Sequence, residues 1–212
     1  MFRIITILLV AATLSGAEEI REVSVDHGLD EQHQVHVDFA LERFAKADLE
    51  LPPELVISFP EDESRCYGNG GVYIPSNVEV RICRHSDKTM VHELAHAWIE
   101  TTLNESERES FMQLRGLETW TGGPDWDERG AEHAAEVMTW ALMDRDITVR
   151  WLMPGPNNTS VETFRLFKIE DSTYEELVEA YQLLTGSNPV DRNARSLAVE
   201  TGSDLSSPEA SR

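Results

Sequence analysis

The stretch SDKTMVHELAHAWIETT, residues 86–102, contains two histidines four positions apart. In a helix this spacing brings His92 and His96 to the same face, one turn apart. Two imidazoles placed in this way are typical ligands of a single Zn²⁺ ion. Glu93 lies to the side of the pair, where its carboxylate can reach a water on the metal without binding the metal. The stretch therefore predicts a metal site on a helix.

The residues around the two histidines make this helix hydrophobic on most sides. The apolar neighbours are Met90, Val91, Leu94, Ala95, Ala97, Trp98 and Ile99. A helix that is apolar on most faces is buried. Buried imidazole and carboxylate groups cost free energy unless they are paired or bound to a metal ion. The alternative interpretation, a surface helix whose histidines and glutamate are hydrated, is disfavoured by these flanks.

The pattern His-Glu-Leu-Ala-His at 92–96 matches the His-Glu-x-x-His signature, and the chain resembles the zincin metallopeptidases. The resemblance implies an α+β fold with a small mixed or antiparallel sheet, an active-site helix and a second helix that carries a ligand. It further implies one catalytic Zn²⁺ ion, with His92 and His96 as ligands and Glu93 as the catalytic general base.

The third ligand is expected on a second helix, predicted over residues 127–144, DERGAEHAAEVMTWALMD. Metzincins continue the motif with a glycine and a third histidine, which residues 98–102 do not contain. Gluzincins instead take a glutamate from a later helix. Glu132 and Glu136 are four apart and share a face. The resemblance implies Glu132 as the ligand and Glu136 as the group that orients a ligand histidine, and the reverse assignment stays open.

No motif identifies the group that stabilises the transition state. The chief candidates are His133 and Tyr174, followed by Tyr73 and Tyr181. The resemblance is closest to small exported bacterial zincin-like proteins.

The first 17 residues have the composition of a secretory signal peptide. Arg3 precedes the apolar run IITILLVAATL, and the small residues Ser15-Gly16-Ala17 follow it. The alternative is an N-terminal membrane anchor, although the run is short for a membrane span. No other segment approaches that length, so we expect a mature protein without a stable span, located outside the cell, in the periplasm or in the cell envelope.

The remainder of the chain is expected to form one domain, residues 18–186, followed by a disordered tail at 187–212. The tail is rich in Ser, Asp, Glu and Arg and poor in large apolar residues. The formal net charge of −21, from 39 acidic and 18 basic residues, argues against nucleic acid as a partner. The expected partner is a peptide or protein substrate, and no sequence feature specifies an oligomeric state.

Two cysteines, Cys66 and Cys83, enclose a predicted β-hairpin at 70–83. An oxidising compartment would join them as a disulfide, and this is favoured over a pair of metal-binding thiols because they lack CxxC spacing. In zincins a strand that precedes the active-site helix lies along the substrate cleft, and the resemblance assigns this role to the hairpin.

The other predicted elements are a helix over 30–49, a buried strand over 55–59, a helix over 105–114, a short strand over 164–169 and a last helix over 174–184. His33 and His36 on the first of these helices are expected on a solvated face.

The sequence therefore predicts a secreted zinc metallopeptidase. Two alternatives stay open: a non-catalytic exported protein of zincin fold that binds a metal or a partner, and an interaction protein in which the motif is accidental.

Overall fold

The computed structural model describes residues 5–8, 22–26, 31–123, 125–143, 169 and 172–190, and only the backbone of 5–8, 22–26, Gln32 and Asp127. Within these residues the fold is α+β, as expected. The helices are α1 (Glu31–Lys46), α2 (Asp87–Thr102), α3 (Glu105–Arg115), α4 (Gly130–Leu142) and α5 (Tyr174–Thr185). The strands are β1 (Ile5–Leu8), β2 (Glu22–Asp26), β3 (Val56–Ser58), β4 (Gly71–Ile74) and β5 (Glu79–Ile82).

The strands form one mixed sheet in the order β1-β2-β3-β5-β4. β3 is parallel to both of its neighbours, whereas β4 and β5 form the predicted antiparallel hairpin, with Tyr73 opposite Val80. β4 is consequently an edge strand among the strands described. β1 lies within the residues assigned to the signal peptide, so cleavage after Ala17 would remove it and leave β2 at the other edge.

Helix α2 lies at the centre of the fold and packs against α1, α4, β4 and β5. Ser86 begins it, because the Ser86 hydroxyl accepts a hydrogen bond from the Thr89 backbone N–H at 3.1 Å. Most of the helix is buried, as its apolar flanks predict; the buried residues are Met90, Val91, His92, Glu93, Leu94, Ala95, Ala97, Trp98 and Ile99.

The beginning of α4 differs from the prediction, because this helix starts at Gly130 and not at Asp127. Residues 126–128 form a separate turn of 3-10 helix. The backbone N–H of Gly130 donates to Thr119 O at 2.8 Å, and that of Ala131 to Trp120 O at 3.0 Å. In a helix that began at 127, the Ala131 N–H would donate to the Asp127 carbonyl, but here it is bonded to the preceding loop instead.

The expectation of a solvated face for His33 and His36 is wrong. His33 is buried; its ring stacks on Phe59, and its Nε2 lies 2.8 Å from Nδ1 of His85. His36 Nδ1 lies 2.7 Å from Oδ1 of Asp87. His85 and Asp87 are about fifty residues away in sequence, so these contacts could not be predicted from the spacing of residues along α1.

The predicted disulfide is present and joins Cys66 to Cys83. It ties the residues before β4 to the end of β5, immediately before α2. The strand predicted over 55–59 is shorter, Val56–Ser58, and α5 starts at its Thr173 cap and ends before Gly186. The predicted strand over 164–169, apart from Ile169, and residues 191–212 of the predicted tail lie outside the described residues. None of the described helices is long and apolar enough to cross a membrane.

Candidate metal centre

Three potential metal ligands from two helices converge at one point. His92 and His96 come from α2, and Glu132 comes from α4, which packs against it. The two Nε2 atoms lie 3.2 Å apart, and Glu132 Oε2 lies 3.3 Å from His92 Nε2 and 3.5 Å from His96 Nε2. The three side chains are only 10–15% exposed. The helical spacing of the histidines and the packing of α4 on α2 together produce this triangle.

The dimensions of the triangle fit a tetrahedral metal site. With metal–ligand bonds of about 2.0–2.1 Å, tetrahedral ligand atoms stand about 3.3 Å apart. Glu132 Oε2 is also buried and makes no hydrogen bond of acceptable geometry with any described group. A buried carboxylate oxygen without a donor is costly unless a cation satisfies it. His92, His96 and Glu132 could therefore hold a metal ion.

The electrostatics of the triangle favour an ionised carboxylate. Burial alone would raise the pKa of Glu132, but its contacts with His92 and His96 outweigh burial and lower that pKa strongly. Burial likewise opposes the charged form of His96, yet the neighbouring Glu132 and Glu93 raise the pKa of this imidazole. The carboxylate is thus held in the anionic form that binds a cation.

Glu93 lies beside the ligands and is almost completely buried. Burial raises the pKa of its carboxyl group, against the lowering effect of His92, His96 and a hydrogen bond from the Tyr73 backbone N–H. The β4 backbone approaches closely, since a Cβ on Gly71 would stand 2.6 Å from Glu93 Cγ and 2.9 Å from Oε1. In the sequence Gly71 resembles only a turn residue, so its role in making room for Glu93 was missed.

Glu136 lies one turn beyond Glu132 on α4, outside the triangle. Its Oε1 is 3.6 Å from His92 Nδ1 and 3.0 Å from Lys88 Nζ. Only Glu132 reaches both Nε2 atoms, so the geometry favours Glu132 as the third ligand. Glu136 is placed behind His92, on the side away from the triangle.

A cleft of about 350 Å³ opens onto the three ligands and Glu93. This volume is in the range of small-ligand sites. Gly71 to Tyr73 of β4 border it on one side, and Trp126 and Arg129 from the loop before α4 border it on the other. His92, His96 and Glu132 themselves line the cleft, so the potential ligands are accessible from it.

Of the residues considered for transition-state stabilisation, only Tyr73 lines this cleft; His133, Tyr174 and Tyr181 do not. Tyr174 packs edge-to-face on Trp140, and Tyr181 is buried in the core, because α5 packs against α3 and α4 on another side of the molecule. Arg129, which sequence reasoning did not consider, does line the cleft. Its position three residues before Glu132 was the only local sign.

Comparison with known proteins gives no match: neither a protein-family model, nor a curated protein, nor a solved structure matches this chain. The chemistry is therefore inferred from the side chains. They comprise a possible three-residue metal site, a buried carboxyl group beside it and an open cleft above both.

Proposed function

We propose that this protein is a zinc-dependent metallopeptidase that hydrolyses peptide bonds in a peptide or protein substrate. The observation that carries the proposal is the triangle of His92, His96 and Glu132 beside the buried carboxyl group of Glu93. These three residues would hold one Zn²⁺ ion. When bound, Zn²⁺ supplies a Lewis acid that activates water and polarises a carbonyl group.

Glu93 acts as the general base and then as the general acid. It accepts a proton from the attacking water and passes that proton to the leaving amine, so the carboxylate is regenerated after each turnover. Burial raises the pKa of Glu93, which brings its proton affinity closer to what base catalysis near neutral pH needs. Gly71 and the Tyr73 backbone hold the carboxylate in place from the β4 side.

An extended substrate binds along β4. This strand is at the sheet edge and borders the cleft, so a peptide segment can add to it through main-chain hydrogen bonds. On the opposite border, Arg129 lines the cleft, and its Nη2 donates to the backbone oxygen of Gly123 at 3.2 Å, which fixes the guanidinium there. We assign this guanidinium the role of stabilising negative charge on the substrate. Its Nε atom is buried and has no hydrogen-bond partner among the described residues.

The expected location of the activity is outside the cytoplasm. The composition of residues 1–17 supports export, and the Cys66–Cys83 disulfide suits an oxidising compartment. An uncleaved N-terminal segment would instead leave the same domain anchored to a membrane.

The first experiment measures metal content and cleavage with the chain purified after signal removal. Bound zinc is quantified by mass spectrometry, and cleavage of a peptide library is followed with and without a chelator. In Glu93→Gln we expect zinc to be retained and turnover to fall by about 10²- to 10⁴-fold, the usual contribution of a general base. Glu109→Gln, on the exposed side of α3, is the matched control and should resemble wild type.

Each failure has a distinct meaning. Full peptidase activity in zinc-loaded Glu93→Gln would overturn the mechanism. A wild-type chain that binds zinc but cleaves no peptide would be a non-catalytic metal-binding protein. A wild-type chain that binds no zinc would exclude both the peptidase and the non-catalytic zinc-binding protein.

A further inference from the structure

Lys88 lines the cleft and forms an ion pair with Glu136, which lies behind the proposed metal centre. It lies four residues before His92 on α2 and therefore on the same helix face. Its Nζ lies 3.0 Å from Oε1 of Glu136, whose side chain is only 3% exposed, and Lys88 itself is largely buried. The ion pair thus joins α2 to α4 inside the fold.

The simplest interpretation of this ion pair is that it stabilises the packing of α2 against α4. A carboxylate as buried as that of Glu136 requires a charged or hydrogen-bonded partner, and Lys88 supplies one. The position of the carboxylate adds a second relation, because the same Oε1 lies 3.6 Å from His92 Nδ1. Glu136 therefore stands between the ammonium group and the imidazole of a potential metal ligand.

We infer that Lys88 is a positioning residue for the metal centre and acts on His92 through Glu136. The inference rests on the proposed function only in requiring that His92 binds a metal ion. An imidazole that binds through Nε2 carries its hydrogen on Nδ1 and needs an acceptor behind it, which fixes the ring orientation. His92 Nδ1 is buried and makes no hydrogen bond to a described residue, and the carboxylate oxygen beside it is Glu136 Oε1, at 3.6 Å. A small movement would bring this oxygen to hydrogen-bond distance, and Lys88 determines where it lies.

The charge of Lys88 has a second effect at the same place. Glu93, Glu132 and Glu136 bring three carboxyl groups into one buried region. The ammonium group of Lys88 balances the negative charge of Glu136, the carboxylate that does not face the proposed ion. Without Lys88, the Glu136 carboxylate would lose this cation and would be drawn towards the metal and its ligands.

The test compares Lys88→Met, Lys88→Arg and the control Lys46→Met. Methionine keeps the apolar stem without the charge, arginine keeps the charge, and Lys46 forms an exposed ion pair with Glu42 on α1. Zn²⁺ affinity is measured by competition with a chromophoric chelator, and the ligand field is followed by visible absorption of the Co²⁺-loaded protein. We expect Lys88→Met to lower zinc affinity by about 10- to 100-fold and to shift the Co²⁺ bands, as loss of an outer-sphere partner does. Lys88→Arg should restore most of the affinity, and Lys46→Met should match wild type.

A second comparison shows whether Lys88 acts through Glu136. In a Glu136→Gln background, Lys88→Met should have little further effect on affinity, since the carboxylate charge it acts on is gone. Lys88→Gln replaces Lys88→Met in both comparisons if the methionine variant does not fold.

Unchanged zinc affinity and Co²⁺ bands in folded Lys88→Met would overturn this inference and leave the peptidase proposal intact. An equal loss of affinity with and without Glu136 would also overturn it. A wild-type chain without metal affinity would overturn both proposals.

Discussion

Two partly buried glutamates, Glu79 on β5 and Glu132 on α4, have similar side-chain exposures of 13% and 14% and yet have opposite surroundings. Both oxygens of Glu79 are matched by donors: Arg81 Nε at 2.9 Å and Ser58 Oγ at 2.8 Å reach Oε1, and Arg81 Nη2 at 2.7 Å reaches Oε2. Glu132 Oε2 faces two imidazole nitrogens at 3.3 and 3.5 Å and makes no well-formed hydrogen bond with any residue that the structure describes.

A lowered pKa does not distinguish Glu132 from Glu79, whereas the hydrogen bonding of the two carboxylates does. The hydrogen bonds from Arg81 lower the pKa of Glu79 to about 2, and the imidazoles lower that of Glu132 as well. A lowered pKa therefore occurs at both sites. Of these two glutamates, Glu132 alone has an oxygen without a hydrogen bond to a described residue at a point where three potential ligand atoms converge. This makes Glu132 the candidate for metal binding.

The largest difference between Glu79 and Glu132 is expected when each glutamate is neutralised in turn. Glu132→Gln should reduce zinc affinity by at least about 100-fold, more than the loss of an outer-sphere partner, because a ligand itself is lost. Glu79→Gln should leave zinc affinity unchanged. Both are measured by chelator competition, and equal affinities in the two variants would remove Glu132 from the ligand set.

Two neighbouring glycines test how closely the sheet approaches the metal site. A Cβ on Gly71 would stand 2.6 Å from Glu93 Cγ, whereas a Cβ on Gly70 would find its nearest neighbours at an ordinary 3.6 Å. Gly71→Ala should displace Glu93 and lower kcat by roughly 100-fold, as displacement of a reacting group by about 1 Å does. Gly70→Ala should retain activity. Equal kcat values, with zinc content verified, would show that β4 does not position Glu93.

Metal removal should affect the two carboxylate sites differently. A chelator should lower the Tm of wild type and of Glu79→Gln by the same amount, since binding at 100 times Kd adds about 2.7 kcal/mol to the free energy of unfolding. It should leave the Tm of Glu132→Gln unchanged. Calorimetry with and without chelator measures this, and a chelator-sensitive Tm in Glu132→Gln would point to metal bound elsewhere.

The smallest expected effect concerns the stability that Glu79 contributes and its dependence on pH. Its folded pKa of about 2 lies below its ordinary value of 4.5, so the unfolded chain binds more protons between these values and stability rises with pH there. The contribution is fully present above pH 4.5 and is lost as pH falls through 2. We expect about 1–2 kcal/mol at pH 7, discounted for solvent screening.

Urea unfolding of wild type and Glu79→Gln at pH 7, 3.5 and 2 measures that contribution, with exposed Glu109→Gln as control. The difference between wild type and Glu79→Gln should shrink towards acid pH. A constant difference would mean that Glu79 stabilises the sheet by packing rather than by its charge.

Local patterns in the sequence were sufficient for much of the fold. The spacing of His92, Glu93 and His96, with apolar flanks, predicted a buried helix, because helical periodicity depends only on neighbouring residues. The helix caps Ser86 and Thr173 are local in the same sense, since each side chain accepts a hydrogen bond from a backbone N–H three residues further on. The hairpin and the Cys66–Cys83 bond were predicted because turn residues and the cysteines enclose a short segment.

The contacts between residues distant in the chain could be seen only in the tertiary structure. The sequence left Glu132 and Glu136 as alternative ligands, and the packing of α4 on α2 brings only Glu132 to both Nε2 atoms. The same packing places Glu136 between His92 and Lys88, and the approach of β4 makes Gly71 the space for Glu93. The amino-acid sequence was enough to identify the side chains that could bind a metal ion, because this ability depends on residue type and local spacing. Only the tertiary structure determined which of them meet, because convergence depends on how separate elements pack.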